Sequence, residues 1–251
     1  MTDRSALRGD ETARRTRPRV LAHRGANRVA PENTIEAFRA ARALGADGVE
    51  LDVHRSADGI LVVHHDAEVP GLGVTAEHSF AEIRVAQPAL PTLEEALDAC
   101  TEMLVNVELK NLPGDADYDP DEGVAYALIE LLAARSQHDD VLVSSFNLQS
   151  IDRVRELDQS IDTAFLTIVG FDPLDALAIV HDRGHNALHP DVRSIAGATA
   201  TAVVEWAHTH ELTINVWTVN DEAEMHRLAA AGVDGIVTDV PDVARRVLDG
   251  D

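Results

Sequence analysis

Short apolar runs alternate with amphipathic, helix-period segments almost from end to end of the chain. Val20-Leu21-Ala22 is the first run, long enough for a buried strand, and the pattern predicts that strand over residues 19–23. An Ala-rich amphipathic helix follows over 34–44 and stops at Gly45, a C-cap signal. Pro31, with Asn33 followed three residues later by Glu36, reads as the entry to that helix in a variant of the capping box. Further strands are predicted over 47–54, 103–110, 141–145, 161–167, 187–189, 212–219 and 235–238. Helices are predicted over 91–100, 123–135, 148–157, 173–182, 198–210, 222–231 and 241–248. A short run over 60–64 follows Asp58-Gly59, a hairpin signal. Eight strand–helix units predict an α/β chain folded as one closed (β/α)8 TIM barrel, with a short insertion after the second strand over 66–90. A doubly wound open sheet would carry a glycine-rich dinucleotide turn after its first strand, and His23-Arg24-Gly25-Ala26-Asn27 is not one.

Composition narrows this picture without changing it. The 251 residues are 45% hydrophobic, enough for one large core, so residues 19–251 are read as one domain and residues 1–18 as a disordered or loosely attached tail. No apolar run approaches the length of a membrane span, so no stable membrane insertion is expected. Arg14-Arg15 is not followed by an apolar stretch, which argues against a secretory leader. Cys100 is the single cysteine, which rules out a disulfide framework and a cysteine metal cluster, and a cytoplasmic location is the default. The charge is unusual. Forty-four acidic residues against 21 basic leave a formal net charge of −23, and Lys110 is the only lysine. Such a surface is a poor partner for nucleic acid. Its self-repulsion is relieved when concentrated salt shortens the Debye length, so a halophilic setting is expected.

In a barrel of this type the ends of the strands carry the chemistry. His23 and Arg24 end the first strand: one carries protons near neutral pH, the other holds an oxyanion by paired hydrogen bonds. On the second strand Glu50 and Asp52 stand two apart, hence on one face, with Leu51 and Val53 on the other. Glu108 and Lys110 repeat that spacing on the third, with Asn106 below them. Three converging carboxylates need either protonation or a cation, and an all-oxygen set favours Mg2+ or Ca2+ over zinc. Lys110, in a chain that otherwise avoids lysine, fits a phosphate oxygen or a substrate hydroxyl. Either His64 or His65, alternating along an extended segment, could complete an acid–base pair with His23. His54, His78, His138, His181, His208, His210 and His226 read as helix-face or loop residues with no role. Phe146 and Trp217, at the ends of later strands, form a candidate apolar wall for a ligand's carbon skeleton.

Taken together and in order, these segments resemble the glycerophosphodiester phosphodiesterase family. The likeness runs from about residue 20 to residue 248. It rests on Ala22-His23-Arg24-Gly25, Pro31-Glu32-Asn33-Thr34, Glu50-Leu51-Asp52, Val63-His64-His65-Asp66, Asn106-Val107-Glu108-Leu109-Lys110, Val216-Trp217-Thr218-Val219-Asn220 and Gly232-Val233-Asp234-Gly235. The resemblance implies a divalent cation held by Glu50, Asp52 and Glu108, and His23 and His65 as the acid–base pair. It implies Arg24 on phosphate and Lys110 on phosphate or glycerol. The implied reaction is hydrolysis of a small-molecule glycerophosphodiester to glycerol phosphate and an alcohol, by attack of the glycerol 2-hydroxyl and reopening of a cyclic phosphate. A lysophospholipase-D-like or phospholipase-C-like enzyme acting on lipids is the alternative, with Val69-Pro70-Gly71-Leu72 its only hint. A non-catalytic phosphate-binding barrel is less favoured, since none of the expected set is missing. After Asp66 the segment Ala67 to Gly73 departs from the family pattern, which bears on substrate choice.

Overall fold

Gly48 and Gly235 show how tightly the sheet closes on itself. A Cβ on Gly48 would lie 2.3 Å from the Leu104 carbonyl oxygen and 2.6 Å from Leu21 Cδ2, and one on Gly235 would lie 2.2 Å from Asn215 Oδ1. Both positions face the inside of a parallel barrel, where the register sets them beside Leu21, Leu104 and Asn215 of the neighbouring strands. The computed structural model describes residues 17–135, 140–197 and 199–250.

The barrel strands are β1 (Arg19–His23), β2 (Gly48–Arg55), β6 (Leu104–Leu109), β7 (Val141–Ser145), β8 (Asp162–Thr167), β9 (Ala187–Pro190), β10 (Thr213–Val216) and β11 (Gly235–Thr238). Each pairs in parallel with the next, and β1 pairs with both β11 and β2, which closes the ring. β3 (Leu61–Val63) folds back antiparallel on β2, as the Asp58-Gly59 turn requires. The helices are α1 (Ile35–Ala43), α2 (Phe80–Ala86), α3 (Leu93–Ala99), α4 (Gly123–Arg135), α5 (Leu148–Leu157), α6 (Pro173–Arg183), α7 (Thr199–Thr209), α8 (Glu222–Ala231) and α9 (Pro241–Asp249). Outward-facing Leu51, Val53, Val105 and Val107 pack with Phe38, Leu97 and Leu128 of the helices. Across the barrel, Leu188, Ile214 and Ile236 pack with Leu177, Val203 and Met225.

Several local expectations change. Asn33 is not the cap of α1: Thr34 is, accepting a hydrogen bond from the Ala37 backbone, because Asn33 has φ +56° and is drawn inward. The strand predicted over 212–219 is only four residues long, and Trp217 meets Asp191 in an isolated bridge beyond its end. The segment after β3 holds a hairpin of β4 (Glu68–Val69) with β5 (Gly73–Val74), and then α2, a helix the apolar pattern did not reveal. Val69, with Leu72 beside it, packs on Val62, Ile83 and Leu90, so the apolar hint at 69–72 is consumed by packing under this excursion. The loose-tail reading falls mostly on residues 1–16, outside the described residues; Arg17 is paired with Asp47 at 2.7 Å and with Asp249 at 3.0 Å.

Inside the barrel, polarity is layered. Leu142, Ala164 and Ala187, with Leu104 against them, form an apolar plug. His189 and Asn215 lie toward the strand ends, and the Asn215 side-chain amide donates to His189 Nε2 at 2.8 Å. That bond needs a neutral imidazole, and burial lowers the His189 ring to about 3. The sign for stability follows from the ordinary histidine value of 6.5. Between pH 6.5 and about 3 the unfolded chain binds a proton that the folded ring refuses, so this contribution is present above pH 6.5 and lost as the pH falls. Urea unfolding at pH 5.5 and pH 4.5 is expected to show wild-type stability falling by about 1.4 kcal/mol per pH unit for this proton. His189→Leu should have a shallower slope by that amount, and an unchanged slope would refute the assignment.

Candidate active site

The site forms where β1, β2 and β6 end together. Gly25, at φ +78°, turns the chain directly after His23-Arg24, and a Cβ there would lie 2.8 Å from the Ala37 backbone. Arg24 itself sits at φ +56°, a strained conformation for a side-chain-bearing residue. In it the Arg24 backbone N–H donates to Glu50 Oε2 at 3.0 Å. The same turn brings the Arg24 guanidinium to 2.9 Å from Glu32 and 3.4 Å from Asp52. Asn33, likewise at positive φ, donates its side-chain amide to Asp52 Oδ2 at 2.8 Å.

Register does the rest. Asp52 lies opposite Glu108, and His23 opposite Glu50, so their side chains share the inner face. Glu50, Asp52 and Glu108 are all buried, and one carboxylate oxygen of each lies within 4.8 Å of the others. Lys110 bridges two of them, at 2.9 Å from Glu108 and 3.3 Å from Asp52. The charges are not evenly tolerated. Burial, then the charge of Asp52, pushes Glu50 up to about 8. Burial also raises Glu108, against the pull of Lys110. Asp52 stays below the usual carboxylate range: burial opposes its charge, but Lys110 and Arg24 prevail. Glu50 Oε1 is buried with no hydrogen-bond partner. An orphaned oxygen beside two further carboxylates is a donor set that a hard divalent cation fits.

The two histidines differ in environment. His23 Nδ1 is 2.7 Å from Asp239 Oδ1, and its Nε2 is 4.0 Å from Glu50. Asp239 is fixed in turn by Asn27 and Asn220, each donating at 2.7 Å. Burial alone would lower the His23 ring, but the Asp239 hydrogen bond and the Glu50 charge outweigh it and raise it above 6.5. His65 is more open, with its Nδ1 at 2.7 Å from Asp66. Burial and the charge of Lys110 lower it below 6.5. His64 instead lies 3.2 Å from the Glu68 carbonyl oxygen, within the excursion. Phe146 and Trp217 meet edge to face, with ring centroids 5.5 Å apart.

His54 is neither a helix-face nor a loop residue. It lies on β2, buried, with Nδ1 facing Asp117 and Nε2 3.1 Å from the His65 carbonyl oxygen, so it anchors the segment that carries His65. The period of two that marks Glu50 and Asp52 as inward also reaches His54. Asn27, Asn220 and Asp239 likewise have no role in the sequence reading, and Asn33 has only that of a helix cap. Asp239 stands at the end of the last strand, where the strand-end criterion reaches it, but spacing alone gives it no partner.

The chain is similar to known proteins along most of its length. A model of the glycerophosphoryl diester phosphodiesterase family matches residues 23–243. A glycerophosphodiester phosphodiesterase of Caldanaerobacter subterraneus is 33% identical over 240 residues, covering 89% of this chain and 94% of that one. The enzyme of the same name from Bacillus altitudinis is 33% identical, covering 91% and 97%. Among solved structures, a phosphodiesterase of Oleispira antarctica in complex with the product sn-glycerol-3-phosphate aligns with a TM-score of 0.78 at 25% identity, covering 93% and 97%. A glycerophosphodiester phosphodiesterase structure from Thermotoga maritima aligns at 0.76 with 27% identity, covering 90% of this chain and 96% of that one.

The raised Glu50 yields a test with two signs. A carboxyl held at about 8 in the fold and near 4.5 when unfolded contributes stability that is lost as the pH rises through 8. In chelator at pH 8.5, Glu50→Gln is therefore expected to melt higher than wild type. Mg2+, Ca2+ or Mn2+ should raise the melting temperature of wild type and not of the variant. An equal cation response in both would remove Glu50 from the ligand set.

Proposed function

The chain belongs to the glycerophosphoryl diester phosphodiesterase family, and we propose that its site hydrolyses glycerophosphodiesters to glycerol phosphate and an alcohol by two-histidine acid–base chemistry beside a divalent cation. The activity class follows from the family match over residues 23–243 and from relatives aligned along most of their length. The observation that carries the finer reading is the opposite bias of His23 and His65 on either side of one carboxylate cluster.

Glu50, Asp52 and Glu108 would hold the cation, Mg2+ or Ca2+ by the chemistry of the oxygen donors. When bound, it supplies electrostatic stabilisation of the charge that grows on the phosphate oxygens. Arg24 and Lys110 converge on Asp52 from different elements, so a phosphate seated there meets two fixed cations. His65, with its lowered affinity for protons, takes the proton of the glycerol 2-hydroxyl as that oxygen attacks phosphorus. His23, kept protonated by the Asp239 carboxylate at Nδ1, gives its Nε2 proton to the departing alkoxide. Water then opens the cyclic phosphate with the two roles exchanged, which leaves both rings as they began. Phe146 and Trp217 flank the carbon skeleton, and Asp239 fixes the His23 ring. The acidic surface completes the reading: an enzyme of a salt-rich cytoplasm, acting on a small soluble diester. No helix among the described residues is long and apolar enough to cross a membrane.

Removing either proton carrier should lower turnover by roughly two to four orders of magnitude. His23→Ala and His65→Ala are expected to show that loss in kcat for glycerophosphoglycerol, with cation binding retained. The active free enzyme has His65 neutral and His23 protonated, so kcat/KM should fall below pH 6.5 on the acid side and at a pH above 6.5 on the basic side. Asp239→Asn removes the group that holds the His23 proton, so its basic limb should move to lower pH while the acid limb stays. A wild-type-like profile in that variant would separate Asp239 from the chemistry.

A further inference from the structure

Behind the ends of β6 and β7 lies a buried polar network that the chemistry above does not use. Glu122, the residue before α4, is its centre. It is 2% exposed, it stands at φ +59°, and among the described residues no cation pairs with it. Its Oε2 accepts from the Asn111 amide at 2.8 Å and from the Ser150 hydroxyl at 2.7 Å. Its Oε1 accepts from the Asn147 amide at 3.2 Å. The donors come from the loop after β6, the turn after β7 and helix α5.

The bonds that spread from this centre fall on both sides of Lys110. After it, Asn111 is held throughout. Its side-chain oxygen accepts from the Asp119 backbone N–H at 2.7 Å, and its amide also donates to the Asp119 carbonyl oxygen at 2.9 Å. Its own carbonyl oxygen accepts from the Asn147 amide at 2.8 Å. Before Lys110, the Leu109 carbonyl oxygen accepts from Ser145 Oγ at 2.8 Å. The Lys110 backbone N–H itself donates to the Val53 carbonyl oxygen at 3.1 Å. Apolar packing could close a loop at this place without desolvating a carboxyl group. A fully satisfied polar network adds something that packing does not, which is one fixed geometry. Lysine needs that more than most residues, because its charge rides on a flexible four-carbon stem and reaches a set point only from a fixed backbone.

We propose that Glu122 is a positioning residue for the reaction: through Asn111 it sets where the Lys110 ammonium meets the substrate phosphate. The inference rests on the hydrolytic reading above, which puts Lys110 on phosphate.

The test is the affinity for glycerol phosphate with Mg2+ present, followed by phosphorus NMR, which reaches millimolar Kd. Glu122→Gln keeps the shape of the side chain but turns an amide toward donors that need an acceptor. Ser150→Ala deletes one donor to Glu122 with a milder change in the core, and it carries the test if the first variant does not fold. Kd should rise about tenfold in Glu122→Gln and about threefold in Ser150→Ala, with the rise in melting temperature on adding cation retained. In a Lys110→Met background, itself weaker in Kd, the same two substitutions should leave Kd unchanged. Equal factors in both backgrounds overturn the proposal, since Glu122 would then act on the fold at large. A wild-type Kd in both single variants overturns it as well. A wild-type Kd in Lys110→Met removes Lys110 from phosphate and the proposal with it. The hydrolytic reading is judged separately, by whether wild type cleaves glycerophosphoglycerol at all.

Discussion

Three buried carboxylates meeting inside one barrel is the constraint that the rest of the site answers. Left bare, they would repel each other in a medium that screens charge poorly. The fold meets this with Lys110 between Asp52 and Glu108, Arg24 against Asp52, and Asn33 donating to the same carboxylate. Glu50 receives only the Arg24 backbone N–H, and one of its oxygens has no partner. The strained backbone at Arg24 and Asn33 belongs to the same account. Both residues hold positive φ where each delivers a donor to this cluster.

Lysine at position 110 is understandable on these terms. A compact ammonium fits between two carboxylates from a strand two residues away, whereas a guanidinium would need a planar partner and more room. This is the one place where a chain rich in arginine uses lysine.

How much of this was legible beforehand depended on range. Strands and helices whose apolar period is uninterrupted, such as 19–23, 123–135 and 235–238, fall where the pattern placed them. Glu50, Asp52, Glu108 and Lys110 were legible because a strand fixes which residues share a face. Asn33 was misread because the same side chain that caps a helix locally can donate to a distant carboxylate, and only the fold decides between them. The His23–Asp239 pair joins residues 216 apart, a contact made by closing the ring and invisible to spacing. Helix α2 was hidden because its seven residues bury little apolar surface, chiefly Ile83, and are set by a capping box at Ser79 and Glu82.

The balance of fixed charge at the cluster has a thermodynamic consequence. Glu50, Asp52 and Glu108 against Arg24 and Lys110 leave one negative charge in excess when all are ionised. With Glu50 protonated, as its rise to about 8 leaves it at neutral pH, the five groups balance; a divalent ion that displaced that proton would leave one positive charge in excess, which favours an anionic diester. Cation and substrate are therefore linked ligands: whatever factor the ion adds to the affinity for the diester, the diester must return to the ion.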